Sequence, residues 1–111
     1  MYDRGEVWWG PAPNKSSPSY RPWLIVSGSD HPFSHTECIA LAMTTQRHAG
    51  GIVVPDGRWV SGGSNRESYV SPWYVTTIKH RDLDRQQGEL EGSVVDEAVE
   101  SLHRYTSTEG D

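Results

Sequence analysis

The pattern of hydrophobic and polar positions along the chain predicts a series of short β-strands. Residues 5–10 alternate in character, so that Val7 and Trp9 face the same side. Residues 22–26 form a nearly continuous apolar run, which is typical of a central strand. Further strands are predicted at residues 36–44, 52–54 and 68–78.

Proline, glycine and serine mark the breaks between these strands. Residues 11–19 contain three prolines and three serines, which indicates a loop. Turns are predicted at residues 50–51 and 55–57, and a flexible loop at residues 61–65. Because Pro72 cannot donate a backbone hydrogen bond, we expect a bulge or a sheet edge where it occurs.

The last part of the chain changes to the period of a helix, over about residues 93–105. Four apolar residues recur at the spacing that forms one helix face, namely Val95, Ala98, Val99 and Leu102. Ser93 is predicted to cap this helix, with Asp96 and Glu97 in its first turn. Five or more strands followed by one helix predict a mainly β single domain, a small twisted antiparallel barrel or half-barrel over about residues 4–80.

Length and composition limit the class of protein. A chain of 111 residues makes one domain, and a hydrophobic content of 34% supports one thin core, which a dimer interface would supplement. The single cysteine, Cys38, excludes an intrachain disulfide, and its strand context predicts a buried thiol. Apolar runs stay well below the roughly 20 residues of a membrane span, and no signal peptide opens the chain. We therefore expect a cytoplasmic protein.

The net charge of −5 is unevenly distributed. Residues 1–81 carry eight basic and six acidic groups, whereas residues 82–111 carry nine acidic groups against Arg85 and Arg104. The two parts therefore have net charges of +2 and −7. The local potential at a site, and not the sum over the chain, decides whether the site attracts a polyanion. The acidic total charge therefore does not exclude a nucleic acid as the partner.

Two strand ends carry side chains that the fold alone does not require. Arg21 enters the strand at residues 22–26, and a Thr-Thr-Gln triplet at residues 44–46 ends the next strand. Arginine presents a charged fork suited to phosphate, and a threonine hydroxyl can donate or accept a hydrogen bond. Together they indicate a phosphodiester site, and so an RNA-cleaving or RNA-binding protein. Alternatively, the arginine forms only a surface ion pair and the threonines serve the sheet.

Several blocks of residues form an ordered set. They are Arg-Gly-Glu-Val-Trp at 4–8, Arg-Pro-Trp-Leu-Ile-Val-Ser at 21–27, Thr-Thr-Gln at 44–46 and, more loosely, the strand at 68–78 that ends in Thr-Ile. Their order and spacing resemble those of the MazF/PemK family, small ribosome-independent endoribonucleases of toxin–antitoxin systems. The resemblance covers about residues 4–80, and the terminal helix also fits.

This resemblance implies an SH3-like barrel that forms a homodimer, with an RNA groove across the subunit interface. It implies metal-independent cleavage, without cofactors, that leaves a cyclic phosphate and a 5′-hydroxyl. The family's catalytic residues fall on Arg21 and Thr44, and Gln46 matches a position near the site. The chain departs from the family at residues 15–19, which replace a Ser-Glu-Gln loop, and at residues 73–74, which replace a pair formed by an acidic residue and glutamine.

Other residues near these positions are candidates for contacts with RNA. Tyr20, Thr45 and Gln46 flank the proposed catalytic pair, and Lys15 lies in the preceding loop. Trp73 lies in a loosened strand, where an aromatic ring could stack on an unpaired base. As a group, however, the tryptophans are expected in the core or in an interface.

Histidine could supply the base that arginine and threonine lack, because its ordinary pKa is close to neutral pH. His48, two residues after Gln46, is the candidate for proton transfer, and His31 and His35 follow the second strand. A metal site built from His31, His35 and Cys38 is not expected, because the spacing lacks a fourth ligand.

The sequence as a whole predicts a homodimeric endoribonuclease toxin that cleaves single-stranded RNA. The implied partner is a cognate antitoxin whose acidic, amphipathic segment folds on binding and occupies the groove. Two other classes stay open. A non-catalytic module on the same fold would bind RNA or protein without cutting RNA. A protein-targeting toxin, such as a topoisomerase inhibitor, would need a hydrophobic C-terminal epitope, whereas residues 105–111 are mostly polar.

Overall fold

The computed structural model describes residues 2–13 and 19–108, which form seven strands, two short 3₁₀ turns and one helix. The strands are β1 (Glu6–Pro11), β2 (Tyr20–Ile25), β3 (Glu37–Thr44), β4 (Ile52–Val54), β5 (Trp59–Gly62), β6 (Ser68–Lys79) and β7 (Gln86–Leu90). The 3₁₀ turns span Asp56–Arg58 and His80–Asp82, and the helix, α1, spans Gly92–Thr106. Within these ranges, the helix is too short and too polar to cross a membrane.

All the strand pairs are antiparallel, and the sheet has the order β4-β6-β3-β2-β1-β7-β5. The sheet curls into a nearly closed barrel, and α1 packs against β6. The predicted fold class, a mainly β SH3-like barrel with a C-terminal helix, is confirmed.

The central strands β2 and β3 are buried on both faces, because apolar residues occupy nearly every position. Leu24 packs on one face with Leu41 and with the buried side of α1. Trp23 and Ile25 pack on the other face, in a second apolar cluster. Each such side chain contributes about 1.5–3 kcal/mol when it is fully buried. The predicted central position of β2 is confirmed, since β2 pairs with both β1 and β3.

Strand β6 contains the bulge that Pro72 predicts. Along β3, Leu41 is opposite Val75 but Ala42 is opposite Ser71, so β6 has three extra residues between these two pairs. Pro72 also lies beyond the part of β6 that pairs with β4, because β4 pairs only with Ser68, Tyr69 and Val70. The bulge turns Trp73 outward, and 40% of this residue is exposed.

The sequence pattern did not reveal strands β5 and β7. The predicted loop at 61–65 overlaps the end of β5, and β7 has the polar sequence Gln-Gln-Gly-Glu-Leu. Two glycines let these strands approach closely. Gly62 has φ +66°, and a Cβ there would overlap the carbonyl oxygen of Gln87, whereas a Cβ on Gly88 would overlap the carbonyl oxygen of Ser61.

Helix α1 has the predicted apolar face but a different start. Val95 and Ala98 are fully buried, and Val99 and Leu102 pack against the same core. The helix begins at Gly92 with Glu91 as its N-cap residue, so the predicted cap at Ser93 is wrong. The acidic residues predicted for the first turn also lie farther along the helix.

Cys38 lies in the core, as predicted. Only 1% of the residue is exposed, and its Sγ donates to the carbonyl oxygen of Ile78 at 3.7 Å. Burial raises the pKa of the Cys38 thiol from 9.0 to about 11, and the nearby charge of Glu37 acts in the same direction.

This shift predicts that Cys38 makes stability dependent on pH above about 9. Between pH 9 and pH 11 the unfolded thiol loses its proton while the folded thiol keeps it, so the free energy of unfolding falls as pH rises. Urea unfolding at pH 8 and pH 10.5 should show that wild type loses more stability than Cys38→Ala. An equal loss in the two proteins would contradict the prediction.

Candidate functional site

A cleft of about 510 Å³ opens where the end of β1, the start of β2 and the end of β3 meet the segments that precede β6 and β7. Its lining residues are Trp9, Tyr20, Arg21, Pro22, Met43, Thr44, Thr45, Gly63, Ser64, Asn65, Arg66, Ser68, Arg85 and Gln87. The side chains in the middle of the strands pack into the two apolar clusters. The polar side chains of these strands lie at the strand ends, which reach the cleft.

Arg21 and Thr44 lie on adjacent strands at this cleft. The pairing of β2 with β3 places Trp23 opposite Ala42, and Arg21 and Thr44 each lie two residues farther along these strands, at the cleft that both line. Side chains two residues apart on a strand share a face of the sheet, so Arg21 lies on the face of Trp23 and Thr44 on the face of Ala42. The structure thus brings together the two residues that the sequence proposed as a catalytic pair.

Neighbouring groups orient both side chains. The guanidinium of Arg21 lies over the Tyr74 ring, 5.4 Å from its centroid, and Tyr74 in turn packs edge-on against Trp23 at 5.5 Å. Thr44 Oγ1 accepts a hydrogen bond from the backbone N–H of Gln46 at 3.0 Å, which leaves the hydroxyl hydrogen available to a ligand.

Among the described residues that line the cleft, the charged ones are all arginines: Arg21, Arg66 and Arg85. None of the three forms an ion pair with a carboxylate within residues 2–13 and 19–108. Elsewhere arginines do meet acids, as in Arg58 with Glu91 at 2.9 Å. The cleft therefore has a positive local potential despite the acidic total charge, which suits a polyanion.

Sequence reasoning missed Arg66 and Arg85 as site residues. Arg66 follows segment 61–65, for which the sequence predicts only a loop, and Arg85 belongs to the acidic final part of the chain. Backbone pairing brings Arg85 to the cleft, because its carbonyl oxygen accepts from the N–H of Trp9 at 2.8 Å. Only knowledge that β1 pairs with β7 could have revealed Arg85 as a site residue.

The structure brings only some of the predicted substrate contacts to the cleft. Tyr20 and Thr45 line it, whereas Gln46 contributes to the site through its backbone. Trp73 and His48 are outside the lining and pack edge-on against each other with ring centroids 6.3 Å apart. Lys15 lies outside the described residues.

The other histidines proposed from sequence lie toward the opposite end of β3. His31 Nε2 is 3.9 Å from Glu37, a residue that also pairs with Lys79. The hydrogen bond from Lys79 is the main cause of the lowered pKa of Glu37. Over residues 2–13 and 19–108, no three His, Cys, Asp or Glu side chains converge as a metal site.

The fold and the cleft together define a class: a small SH3-like barrel with an arginine-lined cleft at the ends of its central strands. A family model described as "PemK-like, MazF-like toxin of type II toxin-antitoxin system" matches residues 3–106. The chain therefore belongs to this toxin family, as its sequence motifs indicate.

Solved structures of such toxins share the fold. An endoribonuclease from a mycobacterial species, in complex with its cognate antitoxin, has a TM-score of 0.67 at 20% identity, over 92% of this chain and 89% of the other. The Mycobacterium tuberculosis toxin MazF-mt6 has a TM-score of 0.68 at 25% identity, over 89% and 93%. A chain of MazE–MazF from Deinococcus radiodurans has a TM-score of 0.70 at 19% identity, over 93% and 94%. No curated protein sequence gives a significant match.

Proposed function

We propose that this toxin is an endoribonuclease that cleaves single-stranded RNA in the arginine-lined cleft by attack of a 2′-hydroxyl on the adjacent phosphate, without a metal ion. The observation that carries the proposal is that Arg21 and Thr44 line one cleft, whose charged lining residues within 2–13 and 19–108 are all arginines. The similar mycobacterial structure described as an endoribonuclease supports the same chemistry.

Arg21 and Thr44 have separate roles in this reaction. Attack by the 2′-oxygen builds a dianionic phosphorane, and the fork of Arg21 can donate to two of its oxygens at once. Thr44 Oγ1 binds the scissile phosphate. It also relays, through water, the proton of the attacking 2′-hydroxyl to the departing 5′-oxygen. The phosphorus–oxygen bond to the 5′-oxygen then breaks, which gives a cyclic phosphate and a 5′-hydroxyl.

Single-stranded RNA fits this site better than a duplex. Unpaired nucleotides can turn their 2′-hydroxyl in line with the leaving oxygen and expose their bases to aromatic side chains. Tyr20 and Trp9 supply such side chains beside Arg21. DNA lacks the nucleophile and would bind without being cut.

We also propose two protein partners. The first is a cognate antitoxin with an acidic segment that binds the arginines of the cleft, as charge complementarity requires. The second is another copy of this chain. An exposed aromatic surface formed by Trp73 and Tyr105, whose rings are 6.1 Å apart, supplies apolar area for a dimer interface.

The test of the proposed function uses a single-stranded RNA oligonucleotide incubated with the wild-type protein in EDTA. We expect fragments that end in a cyclic phosphate and begin with a 5′-hydroxyl. A matched oligonucleotide with a single 2′-deoxy sugar at the cut site should stay intact. Cleavage of the deoxy oligonucleotide at the same position would refute attack by the 2′-hydroxyl.

One observation favours a second candidate function, RNA binding without cleavage. No histidine or carboxylate lies among the described lining residues of the cleft, so a conventional general base is absent from that lining. A wild-type protein that binds the RNA oligonucleotide tightly but leaves it intact after long incubation would establish this alternative.

A further inference from the structure

Arg85 and Trp9 form a fixed pair at the cleft. The Cζ atom of Arg85 lies 4.9 Å from the centroid of the Trp9 ring. Two backbone hydrogen bonds hold the pair in register: the Trp9 N–H donates to the carbonyl oxygen of Arg85, and the Asp84 N–H donates to that of Trp9, both at 2.8 Å. The contact between the two side chains therefore follows from the pairing of the chain segments.

The guanidinium of Arg85 is available to a ligand. It makes no ion pair within the part of the chain that the structure describes, although Asp84 precedes it directly. A cation over an indole ring is held by attraction to the ring face, so it loses less freedom when it binds a ligand. The pair thus offers several N–H donors in a preorganised position.

The pair also lies close to the proposed cleavage site. Gly10, the residue after Trp9, is opposite Arg21 in the register of β1 and β2. The alternation of side chains along β1 puts Trp9 on the other face of the sheet from Arg21, but Trp9, Arg85 and Arg21 all line the same cleft. An RNA strand that lies in this cleft with a phosphate on Arg21 would therefore pass Arg85 as well.

We propose that Trp9 and Arg85 form a base-recognition subsite that selects guanine beside the scissile phosphate. Guanine presents two neighbouring acceptors, O6 and N7, that match the arginine fork, whereas adenine presents a donor in place of O6. Single-stranded RNA leaves this edge of the base exposed. The proposal rests on the proposed function for the choice of RNA as ligand, and it assigns a residue that sets sequence preference.

The test measures affinity with heptamers of 2′-O-methyl RNA, which cannot be cleaved through the 2′-oxygen. Adenine-rich heptamers carry a single guanine at each position in turn, and a parallel set carries 7-deazaguanine, which lacks the N7 acceptor. For wild type we expect guanine at one position to bind at least about tenfold tighter than adenine, the usual range for a bidentate contact. The 7-deaza heptamer should lose most of this gain.

Three variants isolate Arg85. Arg85→Ala should bind guanine, 7-deazaguanine and adenine heptamers alike, and Arg85→Lys should not restore the preference, because lysine keeps the charge but not the fork. Arg66→Ala removes the same charge from the segment before β6, and it should weaken all heptamers equally while the guanine preference persists. Circular dichroism melts confirm that each variant is folded.

Two results would overturn the subsite. Wild type could bind all heptamers alike, or Arg85→Ala could weaken guanine and adenine heptamers by the same factor with a shallower salt dependence, as for a phosphate contact. Cleavage of unmodified RNA is measured separately. It distinguishes failure of the base-recognition subsite from failure of the proposed endoribonuclease function. A wild type that cuts nothing but shows the Arg85-dependent preference refutes the endoribonuclease and supports the subsite.

Discussion

Replacement of Arg21 with alanine should lower the rate of RNA cleavage by about 10²–10³-fold, the effect typical of removing one donor to a developing oxyanion. The structure places this guanidinium over Tyr74, in a cleft that Thr44 also lines and that has no carboxylate among its described lining residues. The phosphorane would therefore lose its nearest fork of donors. Single-turnover cleavage with excess protein measures the chemical step directly, because product release does not contribute.

The matched variants for this prediction are Arg21→Lys and Arg81→Ala. Lysine keeps the charge but cannot donate to two oxygens in a fixed geometry, so we expect only partial recovery of the rate. Arg81 is an exposed arginine in the turn at His80–Asp82, outside the cleft lining, and its removal should leave the rate unchanged. Wild-type rates for both Arg21→Ala and Thr44→Ala would show that the reaction occurs elsewhere.

A second large effect is expected for Gly88→Ala, which should lower the free energy of unfolding by about 2–3 kcal/mol. A Cβ at this position would overlap the carbonyl oxygen of Ser61 and lie 2.8 Å from the Trp59 ring. The strands β5 and β7 would have to separate. Gly63, which exchanges hydrogen bonds with Gln87, would then shift together with Arg66, so RNA affinity should fall as well.

Gly57→Ala is the control, because no atom lies within 4 Å of a Cβ there and the backbone needs no left-handed conformation. Its stability should stay within about 0.5 kcal/mol of wild type. Thermal unfolding distinguishes the two variants, since a loss of 2–3 kcal/mol lowers Tm by about 10 °C in a domain of this size. Equal midpoints for Gly88→Ala and Gly57→Ala would refute the close approach of β5 to β7.

The sequence predicted those parts of the fold in which apolar side chains follow the pattern of a strand or of a helix. The apolar run in β2 indicated a strand buried on both faces, and the spacing from Val95 to Leu102 indicated the helix face. Arg21 and Thr44 could be proposed together because each lies at the end of such a run. Their meeting across β2 and β3 needed only the antiparallel pairing of consecutive strands.

Other features depend on long-range pairing, which local pattern does not encode. Strand β7 is polar and has no alternation, and its pairing with β1 brings Arg85 from the acidic part of the chain to Trp9. The bulge in β6 could be predicted from Pro72, but the direction in which it turns Trp73 could not. The N-cap is Glu91, two residues before Ser93, because the carbonyl oxygen of Glu91, directly after β7, accepts from the N–H groups of Val94 and Val95.

The burial of β2 and β3 on both faces has a consequence for redesign of this protein. A substitution at a fully buried position of either strand alters one of the two apolar clusters, so the middle parts of these strands leave little freedom for new chemistry. The segments 63–66 and 84–87 contribute to the cleft but contain none of the buried apolar residues of the two clusters. Libraries that retain Gly63 and vary only the other seven positions of these segments should change which RNA sequences are bound while the protein keeps its melting temperature.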